Sequence, residues 1–308
     1  MVLVELGLFG LGLLLLVAGA DRAVGAAGDI ALHYGLSSFF VGVTVVSVGT
    51  SVPEMVTSVL AAYYGAGDLV VGNIVGSETA QMTLAIGVVA LVAPIVATRR
   101  NVLVYGTAMT LAMIIMLLVL DDARVQRSEG VLMMLAYVNF VYTLYTNEGG
   151  EEISEEVIEE ELPPPSRAGP VLVGGLVLVV VGGQVMVTNG VALARTAGVS
   201  EYLVGLLTGL GTTAPEVFVA SIAAYRGDGG ISVGSLLGSN ITDPVFSLGV
   251  GALAFDVVVA SPEVLLPSLV YMLVVSVTVL ALMYWRRGID RWAALVCLAL
   301  YVPTFVVL

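Results

Sequence analysis

The sequence is poor in charge. Only 11% of its 308 residues are charged, against 58% that are hydrophobic, and the mean hydropathy is +1.04. A soluble domain needs more charge than this to cover its surface, so the composition indicates an integral membrane protein. Alternating segments of about ten residues, which mark outer-membrane barrels, are also missing. The chain is therefore predicted to be an all-α membrane protein.

Cysteine and histidine are nearly absent. Cys297 is the single cysteine, so no intrachain disulfide can form, and the single His33 is predicted to be a surface residue in a short loop. The sequence also lacks a His-Glu-x-x-His motif, a catalytic serine–histidine pair and a nucleotide-binding loop. These absences argue against an intramembrane enzyme, and no cofactor is expected.

Lysine is absent altogether, so arginine alone carries the positive charge of the side chains. Stretches long enough to cross a bilayer as helix, about 20 residues, predict ten spans at about 2–20, 37–64, 69–95, 102–120, 129–145, 169–192, 201–225, 230–256, 262–285 and 291–307. With the N-terminus outside, eight arginines fall on the cytoplasmic side and three fall outside, as the positive-inside rule requires. The prediction is a multi-pass protein of the plasma membrane with both termini outside.

One long hydrophilic segment, residues 146–168, follows the fifth span. Its sequence "TNEGGEEISEEVIEEELPPPSR" carries eight glutamates and then three prolines. A cytosolic cation sensor and a solvated linker both fit this composition, and the lack of a glycine at EF-hand spacing favours the linker. The chain is thus predicted to contain a first five-helix repeat at 1–145, an acidic cytoplasmic linker at 146–168 and a second five-helix repeat at 169–308.

An internal repeat supports this division. "GTSVPEMVTSVLAAYYG" (49–65) matches "GTTAPEVFVASIAAYRG" (211–227) without a gap, at an offset of 162 residues. The first copy lies in the second predicted span and the other copy in the seventh, so an odd number of crossings separates them. Equivalent helices then run in opposite directions, which is the inverted-topology repeat of many secondary transporters.

Each copy of the repeat places a proline directly before a glutamate inside a span. Proline removes a helical hydrogen bond, and the freed carbonyl needs another partner in the hydrocarbon. The hydroxyl groups beside the two breaks belong to Thr50, Ser51, Thr212 and Thr213. Together with the carboxylates of Glu54 and Glu216 they are hard oxygen donors, which suit Na⁺ and Ca²⁺. A pair of purely structural kinks is the alternative, but a charge at the membrane midplane is functional by default.

A second motif follows each glutamate helix. "VGNIVGSETAQ" (71–81) and "VGSLLGSNITD" (233–243) each place glycine and serine near the middle of a span, as a second break or a close-packing point. Gln81 lies four residues after Ser77, and Asp243 lies four residues after Ser239, so each pair shares a helix face.

These motifs resemble the alpha repeats of the cation/calcium antiporter superfamily, most closely its sodium/calcium exchanger branch in the compact prokaryotic form. The resemblance rests on "GTSVPE" with "GNIVGSETAQ" and on "GTTAPE" with "GSLLGSNITD", and it covers essentially the whole chain. It implies ten transmembrane helices as two inverted five-helix repeats, with broken helices at the midplane. It also implies Ca²⁺ and Na⁺ as the transported ions, and we expect a monomer in the lipid bilayer.

The resemblance also implies roles for single residues. Glu54 and Glu216 match the two glutamates that share Ca²⁺, and Ser51 and Thr213 match hydroxyls that help to hold Na⁺. The other matched positions are Thr50, Thr212, Ser77, Ser239, Gln81 and Asp243, with backbone carbonyls near Ser47 and Gly209.

Three features depart from the family pattern. Gln81 stands where asparagine is usual. Glu78 stands where a neutral residue is usual, and it is either an extra carboxylate of the site or a residue facing a polar crevice. The segment "LVGLLTGLG" (203–211) is one residue shorter than "FVGVTVVSVG" (40–49), so the approach to the second break differs in helical register.

The predicted mechanism is secondary antiport. Ca²⁺ or Na⁺ occupies the same carboxylate cluster, and only the loaded protein moves between outward-facing and inward-facing states, so that the Na⁺ gradient extrudes Ca²⁺. A proton/Ca²⁺ antiporter, a K⁺-dependent exchanger and a cation channel are the alternatives. Asp243 is expected to be protonated while Ca²⁺ is bound, because burial and neighbouring carboxylates favour its neutral form. The competing view is an ionised Asp243 that holds Na⁺, K⁺ or a transported proton.

Overall fold

The computed structural model describes residues 2–148, 165–197, 211–260 and 262–304, and helices make up most of these ranges. Five of the described helices are long and apolar enough to cross a membrane, or six crossings result if two helices joined by a bend of 43° are counted as one span. The protein is therefore an all-α, multi-pass membrane protein. The ten spans of the sequence analysis remain a prediction.

The first half of the chain is described over residues 2–148. Its elements are α1 (Val2–Tyr34), α2 (Ser38–Thr50), α3 (Val52–Tyr63), α4 (Gly67–Val92), β1 (Ile95–Val96), α5 (Arg99–Val119), β2 (Arg124–Val125) and α6 (Arg127–Glu148). A π-helical turn interrupts α2 at Gly42–Val46 and α4 at Gln81–Ala85.

The second half is described from residue 165 onward, with gaps at 198–210 and 261. Its elements are α7 (Pro165–Thr196), α8 (Ala214–Tyr225), α9, β3 (Val257–Val258), α10 (Pro262–Arg286), β4 (Gly288–Ile289) and α11 (Arg291–Tyr301). Helix α9 consists of Gly229–Thr242, a π turn at Asp243–Ser247 and Leu248–Ala254. The start of the predicted seventh span, from residue 201, lies outside the described residues.

The structure corrects two expectations about single elements. Helix α1 extends well beyond the predicted span 2–20, and His33 is an exposed residue of its last turn rather than of a loop. Neither Gly76–Ser77 nor Gly238–Ser239 breaks its helix, because both pairs lie inside regular helix that ends in a π turn. The glycine–serine pairs are thus not a second break.

Local capping explains several helix starts. The Asp228 side chain accepts a hydrogen bond from the Ile231 N–H at 3.1 Å and begins α9. Asp290 accepts one from the Ala293 N–H at 2.8 Å and begins α11, and this bond, together with Arg286, holds the pKa of the Asp290 carboxyl below its usual range. These caps satisfy N–H groups that the first turn of a helix leaves without a partner.

Helices α1 and α7 pack with their backbones in near contact. A Cβ atom added at Gly12 would lie 2.4 Å from the Met186 nitrogen, and one added at Gly182 would lie 2.5 Å from the Leu16 nitrogen. Only glycine allows this approach, which is typical of helix pairs in membranes.

The same kind of contact joins α2 to α9. A Cβ atom at Gly234 would lie 2.5 Å from the Phe39 carbonyl oxygen, and one at Gly238 would lie 2.5 Å from the Val43 carbonyl oxygen. The second glycine motif therefore fixes α2, which leads into the first proline break, against the middle of α9.

Short antiparallel strands connect the two halves of the chain. Strand β1 pairs with β4 through Ile95 opposite Ile289, and β2 pairs with β3 through Val125 opposite Val257. Each strand of the first half thus pairs with a strand of the second half, and an ion pair between Arg124 and Asp256 lies beside the second pairing.

Candidate ion-binding site

The two proline breaks produce matching helix starts. Ser51 is the residue before α3 and Thr213 is the residue before α8, and in each helix the proline is second and the glutamate third. Proline fits the first turn because no N–H is needed there. The carboxylates of Glu54 and Glu216 therefore lie at the positive end of a helix dipole, where negative charge is stabilised.

Both glutamates are fully buried and their oxygens are without a hydrogen-bond partner. The two side-chain oxygens of Glu54 and of Glu216 make no hydrogen bond in the described residues, and all four atoms are shielded from solvent. A buried carboxylate is costly unless a proton or a cation compensates it. Because Glu216 is the charged group that acts most strongly on Glu54, one cation could compensate both carboxylates.

The hydroxyl groups of Ser51 and Thr213, at the two helix starts, are also available as cation ligands. In an ordinary cap, the serine or threonine oxygen accepts an N–H of the first turn, but neither Ser51 nor Thr213 does so, and both hydroxyls are buried without a partner. Thr50 lies beside Glu216 and Ser51 beside Asp243, although the Ser51 hydroxyl makes no well-aligned hydrogen bond. The first break therefore contributes oxygens to groups of the second half.

Of two backbone carbonyl groups at the first break, one already accepts hydrogen bonds and the other lacks its helical donor. Pro53 has no N–H for the Gly49 carbonyl. The Ser47 carbonyl, in contrast, accepts the Ser51 N–H at 2.9 Å and the Thr50 hydroxyl at 3.2 Å. Ser47 can act as a ligand through this oxygen when the Thr50 hydroxyl turns away from it.

A chain of amide and carboxyl groups joins α4 to α9 at the π turns. Gln81 Nε2 lies 3.5 Å from Asp243 Oδ2, and Asn240 Nδ2 donates to Gln81 Oε1 at 2.8 Å. Ser247 Oγ donates to Asp243 Oδ1 at 2.9 Å. All four side chains are buried, so the chain orients the Gln81 amide and the Asp243 carboxyl in fixed directions.

The serines of the second motif differ in their surroundings. The Ser77 hydroxyl donates to the Ile74 carbonyl at 3.1 Å, whereas the Ser239 hydroxyl is buried without a partner. Close by on the same helix, Thr242 lies 3.4 Å from both the Ser47 hydroxyl and the Tyr137 hydroxyl. Ser239 therefore has a free oxygen to offer, and Ser77 has to give up a backbone contact first.

Glu78 is the fourth buried carboxylate of the described residues, besides Glu54, Glu216 and Asp243. It is fully buried, neither of its oxygens has a partner, and the charged groups that act on it are Asp243 and Glu216. Of the two interpretations left open by the sequence, this environment favours the extra carboxylate over a residue facing a polar crevice.

The donor set suits a hard cation with few charged ligands. Within the described ranges, no three carboxylate, imidazole or thiol groups converge as the ligands of one metal ion would. The oxygens available to a cation at the helix starts are those of the two glutamates and of the neighbouring hydroxyl groups. Such all-oxygen shells are what Ca²⁺ and Na⁺ accept.

The structure brings Glu54, Glu216 and Asp243 close enough to interact, and Gln81 contacts Asp243. Two other predicted positions differ from these. Thr212 is half-buried, and Gly209 lies outside the described residues. Sequence reasoning missed Asn240 and Ser247, which contact Gln81 and Asp243. Two signals were available: Asn240 occupies the position of Glu78 in the repeat, and Ser247 follows Asp243 by four residues.

Comparison with known families supports a common origin along nearly the whole chain. The family described as "Sodium/calcium exchanger protein" matches residues 4–146 and 169–308. An uncharacterized membrane protein of Methanocaldococcus jannaschii is 31% identical over 98% of this chain and 97% of its own length. A sodium/calcium exchanger of Methanosarcina acetivorans is 28% identical over 97% of this chain and 96% of its own length.

A solved structure has the same fold. It is that of the sodium-calcium exchanger NCX_Mj soaked with 10 mM Na⁺ and no Ca²⁺, which is 29% identical to this chain and superposes with a TM-score of 0.82. The match covers 99% of each chain. The similarity therefore includes both halves of the chain and the helices that carry the two glutamates.

Proposed function

Because the chain belongs to the sodium/calcium exchanger family, we propose that it is a secondary antiporter that exchanges Na⁺ for Ca²⁺ and normally extrudes Ca²⁺ from the cell. It is a transporter and not an enzyme. The observation that carries the proposal is the pair of matching helix starts, at which Glu54 and Glu216 are fully buried and without a partner. Two carboxylates balance one Ca²⁺, and the same oxygens suit Na⁺.

The proposed architecture is two inverted five-helix repeats, 1–145 and 169–308, joined by an acidic linker at 146–168. The strand pairs support it. Three predicted spans precede β1 and nine precede β4, while four precede β2 and eight precede β3. Both members of each pair thus fall on the same side of the membrane, as their hydrogen bonds require. We place β1 and β4 in the cytoplasm and both termini outside, in the plasma membrane.

The proposed transport cycle alternates access to one site. A cavity of about 460 Å³ lies between α7 and the starts of α3 and α8, and its lining includes Pro53, Pro215 and Arg195. Since Arg195 lies on the predicted outer side, we take this cavity as the outer route to the ions. The close backbone contact between α1 and α7 favours their sliding as one unit. This movement closes the outer route and opens a route from the cytoplasm.

The test is Ca²⁺ uptake by the purified protein in liposomes. Vesicles loaded with Na⁺ are expected to take up ⁴⁵Ca²⁺ when diluted into Na⁺-free medium, whereas vesicles loaded with K⁺, or given only a pH gradient, are not. Uptake driven by the pH gradient alone identifies a proton/Ca²⁺ antiporter instead. Uptake without any gradient of a second ion, continuing until Ca²⁺ equilibrates, identifies a channel.

Asp243→Asn tests the role of the third carboxyl group. We propose that Asp243 is neutral when Ca²⁺ is bound, so the variant is expected to keep Na⁺-driven Ca²⁺ transport far better than a variant of Glu54 or Glu216. The asparagine can still accept from Gln81 and contact Ser247. Exchange is measured across pH, with and without K⁺. Loss of transport at every pH contradicts the neutral Asp243, and a K⁺ requirement in the wild type alone identifies a K⁺-coupled exchanger.

A further inference from the structure

Glu78 and Asn240 occupy equivalent positions in the two repeats but have opposite hydrogen-bonding abilities. Each precedes by three residues the polar side chain of its π turn, Gln81 on α4 and Asp243 on α9. Asn240 reaches across to the other helix and donates to Gln81 at 2.8 Å. By the repeat symmetry, Glu78 faces Asp243, and Asp243 is the charged group with the largest effect on it.

Glu78 cannot form a hydrogen bond like the one that Asn240 donates to Gln81, because a carboxylate has no N–H or O–H group. Asn240 brings an N–H group to a carbonyl oxygen, whereas the carboxylate of Glu78 brings only acceptor oxygens. Ser247 and Gln81 each direct a hydrogen-bond donor at an oxygen of Asp243. Neither oxygen of Glu78 has a partner. The amide oxygen of Asn240 is likewise buried without a donor. Three acceptor oxygens therefore lie near the crossing of α4 and α9 with nothing to bond.

No positive side chain of the described residues can compensate Glu78. All 11 arginines of the sequence, which contains no lysine, lie at exposed positions, and so does His33. A fully buried carboxylate without a counter-charge is among the most costly groups in a membrane protein. The Ca²⁺ at Glu54 and Glu216 is already balanced by those two charges, so Glu78 needs a positive charge of its own.

We propose that Glu78 binds one alkali cation, Na⁺ or K⁺, at a site separate from the one between Glu54 and Glu216, with Asn240 and Asp243 as further oxygen ligands. The inference rests on the proposed function in that it adds a cation to the same transport cluster. A monovalent ion fits because Glu78 supplies one free charge, whereas Ca²⁺ needs six to eight oxygen ligands. Nothing comparable exists at the equivalent position of the second repeat, where the neutral Asn240 stands.

The experiment counts bound cations on the purified full-length protein. Equilibrium binding of ²²Na⁺ and, separately, of ⁸⁶Rb⁺ as a K⁺ substitute is measured without Ca²⁺ and with choline as the balancing ion. Glu78→Gln is expected to bind about one cation fewer per protein than the wild type, since one carboxylate holds one monovalent charge. A loss in the Na⁺ series identifies Na⁺, and a loss in the Rb⁺ series identifies K⁺. An unchanged count in both series overturns the proposal and indicates a proton on Glu78.

Three further variants make the count decisive. Glu78→Asp keeps the charge and is expected to keep the cation, and Asp121→Asn removes an exposed carboxylate as the matched control. Asn240→Ala removes an oxygen without changing charge, so it is expected to weaken cation affinity without changing the number bound; an unaltered affinity contradicts the assigned ligands. Thermal unfolding of Glu78→Gln at a temperature close to that of the wild type shows that the variant is folded. The count does not depend on Na⁺-driven uptake, so a failure of the proposed antiport and a failure of this inference are separate results.

Discussion

Replacing Glu54 or Glu216 by glutamine is expected to abolish Ca²⁺ transport in each variant. Glutamine keeps the shape of the side chain but removes half of the negative charge that balances a divalent ion in a buried site. Removing one partner of a buried charge interaction costs about 2–5 kcal/mol, which weakens Ca²⁺ binding roughly 30-fold to several-thousand-fold. The two losses are expected to be similar in size, because both glutamates are fully buried at the third position of matching helices.

The measurement combines transport with binding. ⁴⁵Ca²⁺ uptake into Na⁺-loaded liposomes is compared with calorimetric Ca²⁺ binding for each variant, and Asp121→Asn serves as the control for a carboxylate lost at an exposed position. Uptake by Asp121→Asn is expected to equal that of the wild type. Near-normal exchange in either site variant would remove these glutamates from the centre of the mechanism.

The breaks themselves could be predicted from the sequence, because their cause is local. Proline lacks an N–H group wherever it stands, so Pro53 and Pro215 each mark a helix start, and the glutamate that follows is held in the first turn. The ungapped match of the two segments predicts that the second start copies the first. In the structure α3 and α8 have the same length of 12 residues and the same order of cap, proline and glutamate.

The outcome at Gly238–Ser239 depended on a distant neighbour, whereas a Cβ atom at Gly76 would meet nothing within 4 Å. A glycine in the middle of a span either breaks the helix or lets another backbone approach, and its own residue type does not decide between the two. At Gly238 the backbone of α2 lies against it, so the helix stays intact and the pair is packed. The irregularity appears instead at Asp243, where a π turn begins.

The sequence marked the positions of the polar chain at the π turns but could not predict its contacts, for a related reason. In the sequence "GSNITD", Asn240 is an ordinary polar residue. It becomes part of the site because α4 and α9 cross there and bring Gln81 Oε1 within 2.8 Å of Asn240 Nδ2. Ser247 reads as part of an apolar run in the same way. Which oxygens remain unpartnered, including those of Glu78, follows from three-dimensional contacts and not from the repeat alone.

Gly238→Ala is expected to damage both the fold and transport, although it adds a single methyl group. The added carbon would lie 2.5 Å from the Val43 carbonyl oxygen and 2.6 Å from the Val43 Cα. Both atoms belong to the backbone, so no side-chain rotation relieves the clash, and α2 has to move away from α9. Overpacking of this kind costs about 1–3 kcal/mol. The displaced helix ends in Thr50, directly before the first break, so the Ca²⁺ ligands move with it.

A matched substitution separates this packing effect from the general effect of replacing glycine. Gly174 lies inside α7, and a Cβ atom there would meet nothing within 4 Å. Gly174→Ala is therefore expected to leave transport unchanged and to be neutral or stabilising, because alanine favours helix over glycine by up to about 1 kcal/mol. Thermal unfolding of the detergent-solubilised protein and ⁴⁵Ca²⁺ uptake are measured for both variants. If Gly238→Ala unfolds at the same temperature as Gly174→Ala and transports equally well, close packing of α2 on α9 does not position the first break. A lower unfolding temperature together with weaker Ca²⁺ binding in Gly238→Ala alone shows that the contact holds the ligands of α2 in place.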